Sequence, residues 1–403
     1  MSKFLAEKLK KEMVVCIDNQ QEKLFALADF IFQHPEIGFK EKQASEHLIQ
    51  FLSEGGFSIE KNYTGLSTAF RAVYEQGKGG PRIGLLCEYD ALKNIGHACG
   101  HHLQGPAIIG AAMATKKVLD DAEMPYVLEV IGTPGEECSN GGKNIMLEQG
   151  AFKELDVALM MHASDSTTTD IHSMARSEFS VAFHGKAAHS AIAPERGRSA
   201  LEAAILAFNG IGFLRGHVKD DTRIHGIVVE GGKLTNVIPD ETVIRIEVRS
   251  YDSVYLKSVE NWVKKILEGA SLMTGTTYSV EKIGGSLSKI PVRSLNKALM
   301  DNAVAIKASA IAPPREKTGS TDFASVMFHI PGSCIRVGFI EKGISAHSKE
   351  WLAKGLSDDA HQALVVGAKT LALTVFDLVT DTRLLQKIKK EFKEEKMRVI
   401  QER

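Results

Sequence analysis

Apolar residues recur every third or fourth position over residues 22–33 and 41–54, the second segment repeating Ala44, Leu48, Phe51 and Leu52 before Gly55-Gly56. That period lays an apolar stripe along a helix and the glycines supply a stop, so both segments are predicted helices. Four short continuous apolar runs follow at 82–87, 126–132, 156–161 and 334–340, separated by helical patterns such as 104–119 and 357–379. Continuous runs suit strands buried on both faces, and their alternation with helices predicts an α/β domain with a mainly parallel sheet. Residues 178–284 differ. Strand patterns at 178–184, 224–230, 242–249 and 277–283 interleave with helical ones at 198–214 and 253–268, the rhythm of a small two-layer α+β unit. The expected division is therefore a discontinuous larger domain, 1–175 and 286–403, with 176–285 inserted. The charge-rich tail at 384–402 reads as a solvated surface helix.

A chain of 403 residues exceeds the length over which one core normally grows, which also favours two domains. Its 44% apolar and 25% charged residues are those of an ordinary globular protein. With 49 basic against 50 acidic residues and no basic stripe, nothing points to nucleic acid or an anionic membrane. Residues 1–11 are charged and lack the apolar core of a signal peptide, and no later segment reads as a spanning helix, so a cytoplasmic location is expected. Five cysteines without CxxC spacing, Cys16, Cys87, Cys99, Cys138 and Cys334, read as thiols or ligands, not as a disulfide frame.

The chemistry gathers just past the apolar runs, where ligands bind in open α/β sheets. After the first run come Asp90, Cys99 and His101; after the second, Glu136 and Glu137; after the third, His162; after the fourth, His347. Taken singly, a Glu-Glu pair reads as a solvated turn and His347 as a surface-loop histidine. Donors at four successive strand ends are improbable by chance. Cys99 and His101 at i and i+2 can reach one ion from a bent loop, whereas a helix would point them to different sides. Thiolate, imidazole and carboxylate suit zinc or a similar divalent ion, and five donors exceed what one catalytic zinc takes while keeping an open position. Two adjacent metals would use all five and could acidify one bridging water. A carboxylate that is not a ligand must then take the water's proton, and two neighbouring glutamates allow that division of labour. Two alternatives stand beside this reading. One is a cysteine hydrolase with Cys99 as nucleophile and His101 or His97 as base; the other is a metal-stabilised binding protein without catalysis.

The ordered set His34-Pro35-Glu36-Ile37-Gly38-Phe39, Glu88-Tyr89-Asp90-Ala91-Leu92, His97 to His101, Glu136-Glu137, Met161-His162, Gly185-Lys186-Ala187-Ala188-His189, Asn236-Val237-Ile238-Pro239, Thr321-Asp322-Phe323 and Ala346-His347-Ser348 resembles the metal-dependent aminoacylase/carboxypeptidase superfamily. The branch is that of indole-acetyl-amino-acid hydrolases, aminobenzoyl-glutamate hydrolase and related dipeptidases, and the likeness covers nearly the whole chain. It implies a zinc-peptidase-like catalytic domain with an inserted ferredoxin-like lid and dimerisation domain. It further implies two divalent ions per subunit, zinc or manganese first and cobalt or nickel also able to fill such sites. Cys99, His101, Glu137, His162 and His347 are the implied ligands, and Glu136 is the implied general base. Asp90 would orient a ligand. His189 and Asn236 match substrate-contacting positions, which family members often supply from the partner subunit, and His189 would stabilise the developing oxyanion. Arg249 is a weaker candidate for a substrate carboxylate. The implied substrates are dipeptides, N-acyl amino acids or aminobenzoyl-glutamate-like amides, and the implied assembly is a homodimer or larger homo-oligomer through the lid. The chain departs from the auxin-conjugate hydrolases at His101-His102-Leu103, which favours the aminobenzoyl-glutamate and dipeptidase side. Gly135 replaces a common alanine before the paired glutamates, and Lys93-Asn94 replaces the usual proline.

Overall fold

The computed structural model describes residues 2–401. In chain order its strands are β1 (Ser58–Lys61), β2 (Phe70–Gln76), β3 (Arg82–Cys87), β4 (Tyr126–Gly132), β5 (Val157–Ser164), β6 (Thr168–Ser173), β7 (Ala175–His184), β8 (Arg223–Glu230), β9 (Glu241–Ser250), β10 (Thr277–Ser286), β11 (Arg315–Thr318) and β12 (Gly332–Gly338). They fall into two compact units. The larger comprises the chain through His172, Lys289–Thr318 and everything from Ser325 onward; the smaller comprises Ser173–Ser288 and Gly319–Ala324. The sequence reading assigns that last short segment to the larger domain.

In the larger unit the sheet order is β1-β2-β4-β3-β5-β12-β6-β11. Its centre, β4-β3-β5-β12, is parallel throughout and consists of the four apolar runs of the sequence. Parallel neighbours need helices on the sheet faces, which is why these strands are apolar on both sides. The flanks are antiparallel: β2 pairs β4, β1 pairs β2 and β6 pairs β12. Helices Gln104–Asp121 and Asp358–Thr380 contribute Ala111, Leu119, Leu364, Leu371 and Phe376 to the core. Against the expectation from the sequence, Asp358–Thr380 is long and apolar enough to cross a membrane. However, 78% of its most apolar stretch is buried inside the fold, and it is a core helix. The N-terminal helix Lys3–Asp18 joins the same core through Leu9, Met13 and Ile17, spaced four apart on one face.

The smaller unit runs β7, helix Ala200–Leu214, β8, β9, helix Ser253–Thr274, β10, with sheet order β10-β7-β9-β8. All three pairings are antiparallel. This is the β-α-β-β-α-β ferredoxin-like arrangement. Burial alternates along β7 and β9; Phe179, Val181, Ile244 and Ile246 pack with Ala203, Ala207, Val259 and Val263 of the two helices. The outer strand β8 leaves Ile227, Val228 and Val229 exposed at the sheet's edge.

Candidate metal centre

All five ligand-type residues belong to the larger unit, and the parallel strands bring them together. His162 lies on β5, inside the sheet's centre. Cys99 and His101 follow β3 on a loop that turns at Gly100, whose φ of +89 is left-handed and therefore suits glycine. The room is limited as well: a Cβ at Gly100 would stand 2.5 Å from the Cβ of Ala163. The turn makes an i, i+2 pair convergent, as the bent-loop expectation requires. Glu136 and Glu137 follow β4 after Gly135, which is also left-handed (φ +71). His347 follows β12, and its loop is tied to the Cys99 loop by a backbone hydrogen bond from His347 N to Ala98 O at 2.8 Å. His347 itself has φ +69, a strained value for a residue with a side chain.

Three donor groups lie wholly within the larger unit, each with its ligand atoms within 4.8 Å of one another: Cys99, His101 and His162; Cys99, Glu137 and His347; His101, Glu136 and Glu137. The Cys99 sulfur belongs to two of them, lying 3.6 Å from His162 Nε2, while His347 Nε2 lies 3.3 Å from Glu137 Oε1. Facing several donors, Cys99 has a ligand's surroundings, not those of a thiol paired with one base.

The imidazoles are aimed by their outer nitrogens. His162 Nδ1 meets Ala163 O at 2.7 Å, and His101 Nδ1 meets both the carbonyl and Oδ1 of Asp90 at 3.0 Å. Each contact calls for a proton on Nδ1 and leaves the Nε2 lone pair facing the centre. His101 Nε2 is buried without a hydrogen-bond partner, an arrangement that costs free energy unless a cation takes the lone pair. Asp90 acts twice, because its Oδ2 also accepts the Glu137 backbone N–H at 2.9 Å. One buried carboxylate thus contacts a ligand-type residue on each of two loops.

The electrostatics favour positive charge. Burial works to discharge His101, but Cys99, Asp90 and Glu88 around it outweigh that and push its pKa well up. Cys99 and then Glu137 raise His347 to about 10. Burial pushes Glu137 up, yet His347 and His101 hold it below its ordinary value. His162 runs the other way: burial, followed by the neighbouring Arg336, lowers it to about 3 and keeps it a neutral donor. A pocket that would draw protons onto two imidazoles also suits a divalent ion, for which protons compete.

Two residues of the wall escape the sequence pattern. Glu88 is fully buried, with Oε2 3.4 Å from His101 Nε2. Lys143, equally buried, holds Glu88 Oε1 at 2.6 Å, and Gln104 Nε2 donates to Oε2 at 2.6 Å. The signal available for Glu88 is its i, i+2 spacing with Asp90; a fully buried lysine has none. His97 and His102 pack against Phe32 and stand in none of the donor groups. In the smaller unit, the His189 and Asn236 loops are joined by the bridge of His189 to Val237 and by Ser190 N to Asn236 O at 3.0 Å, with both residues exposed. Arg249 is engaged by Glu247 on its own strand, Nε to Oε1 at 2.6 Å and Nη2 to Oε2 at 3.0 Å. That pairing engages two of the N–H groups of the arginine that the sequence offers as a weaker candidate for a substrate carboxylate.

Parallel strands that deliver thiolate, imidazole and paired carboxylate donors to their carboxyl ends are the framework of a metal-dependent hydrolase. Comparison with known proteins narrows the class. The family model for peptidase family M20/M25/M40 matches residues 85–377. The human Xaa-Arg dipeptidase is 34% identical over 96% of this chain and 92% of its own. One of the p-aminobenzoyl-glutamate hydrolase chains of Escherichia coli (strain K12) is 29% identical over 93% of each. Among solved structures, a dinuclear metal-binding peptidase of the M20 family from Bacillus subtilis superposes with a TM-score of 0.68 at 20% identity, over 90% of this chain and 99% of the other. The chain belongs to peptidase family M20/M25/M40, and it is an enzyme of that metallopeptidase class.

Proposed function

We propose that this protein is a dipeptidase or N-acyl-amino-acid amidohydrolase with a two-ion centre held by Cys99, His101, Glu137, His162 and His347. The observation that carries the proposal is the Cys99 sulfur shared between two donor groups, with Glu136 in a third. Bound divalent ions, zinc or manganese first, would polarise the scissile carbonyl and acidify a water. The chain's own residues do the rest. Glu136 takes the water's proton and returns it to the leaving amine. Asp90 keeps His101 and the Glu137 loop in register. His189 and Asn236 are assigned to the substrate, His189 to the developing oxyanion.

The names of the relatives support a small amide with an amino-acid carboxylate on one side: a dipeptide ending in a basic residue, or an aminobenzoyl-glutamate-like compound. The open β8 edge supports the smaller unit as the dimer surface, since an unpaired apolar edge is normally covered. Five cysteines, none in a disulfide, suit the reducing cytoplasm.

The test is a hydrolysis screen of dipeptides, acyl-amino acids and aminobenzoyl-glutamate on metal-reconstituted protein, with and without chelator. Turnover is expected to vanish with chelator and return with zinc or manganese. Glu136→Gln is expected to retain the ions yet lose about 10²–10⁴-fold in kcat. Full activity in that variant would refute the base assignment.

A further inference from the structure

The motif His34-Pro35-Glu36-Ile37-Gly38-Phe39 supplies no donor to the centre, and just beyond it Glu41 is a carboxyl with 0% exposure. Its location is specific. Glu41 Oε1 accepts the Gly135 N–H at 2.8 Å, and its Oε2 accepts the Thr68 hydroxyl at 2.9 Å. Gly135 is the left-handed residue immediately before Glu136 and Glu137. Two amides further on, the Glu137 N–H is taken by Asp90 Oδ2 at 2.9 Å. Two buried carboxylates therefore hold alternate amides of the turn that carries the paired glutamates.

The rest of the segment braces that clamp. Glu36 O accepts the Ala91 N–H at 2.8 Å, which ties the segment alongside Asp90. Glu36 Oε2 accepts the backbone N–H groups of Gln43 and Ala44 at 2.9 and 3.1 Å, anchoring it to the start of helix Lys42–Glu54. The approach is close: a Cβ at Gly38 would stand 2.4 Å from Cys138 Sγ and 2.9 Å from Gly135 Cα. The Phe39 ring covers Gly135, whose own added Cβ would meet it at 2.8 Å.

Resting on the two-ion reading above, we infer that Glu41 is a positioning residue. It holds the Gly135 peptide so that Glu137 faces the donor cluster and Glu136 faces the reacting water. A glycine peptide rotates at little steric cost, so without a fixed acceptor the turn could exchange the directions of the two carboxylates. Misplacement of about an ångström is enough to cost roughly 100-fold in rate. Glu41 contributes no ligand atom itself and acts only through the turn.

The test compares wild type, Glu41→Ala and Glu41→Gln, the last retaining an oxygen for the Gly135 amide. By hydrogen–deuterium exchange on the metal-free full chain, Glu41→Ala is expected to speed exchange in residues 133–140 by about tenfold, the loss of one buried hydrogen bond. Glu41→Gln is expected to remain near wild type. On a dipeptide that wild type cleaves, Glu41→Ala is expected to lose about 100-fold in kcat, with KM and cobalt(II) stoichiometry unchanged, and Glu41→Gln is expected to recover most of it. Unchanged exchange in Glu41→Ala overturns the inference whatever the protein hydrolyses. So does wild-type kcat in Glu41→Ala, or a loss that Glu41→Gln fails to rescue. Faster exchange in a protein whose wild type hydrolyses nothing would uphold the clamp and refute the two-ion reading instead.

Discussion

Removing the ammonium of Lys143 should expose how the wall of the centre is kept charged. Lys143 and Glu88 are both fully buried and 2.6 Å apart. Burial drives the Glu88 pKa up, and Lys143 first, with His101 and His162 behind it, together more than reverse that. In Lys143→Met the carboxylate keeps its burial and loses its nearest cation, so near neutral pH the fold must hold a buried charge stripped of its ion-pair partner or a proton taken from solution. Breaking one side of such a pair costs about 3–5 kcal/mol. The sign with pH follows from proton counting. In wild type, Glu88 is held below its unfolded value, so its contribution is present above that value and lost only in acid. In the variant its folded pKa lies above the unfolded value of about 4.3, and the folded state binds the extra proton. The variant's stability therefore falls as pH rises, by up to about 1.4 kcal/mol per pH unit, and its deficit against wild type is larger at pH 7.5 than at pH 5. Urea unfolding of chelator-treated protein, followed by Trp351 fluorescence in a Trp262→Phe background, reads this in the larger unit alone. Trp351 is buried there, whereas Trp262 is exposed in the smaller unit. The double variant Lys143→Met/Glu88→Leu should recover most of the loss, since replacing both partners leaves no orphaned charge. A deficit below about 1 kcal/mol, or one independent of pH, would refute this account of the pair.

Other outcomes follow from single contacts. Asp90→Ala removes the acceptor of both His101 Nδ1 and the Glu137 amide, and zinc affinity measured by chelator competition should fall about 10–100-fold. Val228→Lys places a charge on the exposed β8 edge; with that edge proposed as the dimer surface, sedimentation is expected to show a dimer for wild type and a shift to monomer in the variant, and an unchanged oligomer would move the interface elsewhere. Burial raises Glu41 from 4.5 to about 7, so the folded state holds its proton more tightly. Stability should decline between those pH values by up to about 3 kcal/mol, and Glu41→Gln should remove that slope in urea titrations.

The central sheet is legible because β3, β4, β5 and β12 are buried on both faces and leave uninterrupted apolar runs. The flanking strands leave no such signature. β1 and β11 are short and polar, with the sequences SIEK and REKT, and sit at the two edges of the sheet. In β6 the buried side chains include Thr168, Thr169 and Asp170, and Asp170 is satisfied by tertiary partners, Arg315 and Arg336 binding it at 2.7 and 3.1 Å. Periodicity registers burial only when it is apolar. The helix Lys3–Asp18 escapes the pattern for a related reason: its first ten residues are mostly charged, while its buried face rests on Leu9, Met13 and Ile17.

The same distinction separates the legible from the hidden parts of the site. Ligand-type residues are chemically marked, and the topology of a parallel sheet brings strand ends together, so position after an apolar run is enough to group Asp90, Cys99, His101, Glu136, Glu137, His162 and His347, whereas the division into ligands and base rests on the family resemblance. Lys143, Glu88 and Glu41 are common residue types whose default place is the surface. What makes them part of the site is a partner 55 residues away for the Lys143–Glu88 pair and 94 residues away for Glu41 and Gly135. No local pattern encodes such a pairing, because its free energy arises only when burial makes an unpartnered charge or amide costly. Candidate metal donors can therefore be read from identity and order, while the buried carboxylates and lysine that pack around them become visible only once the chain is folded.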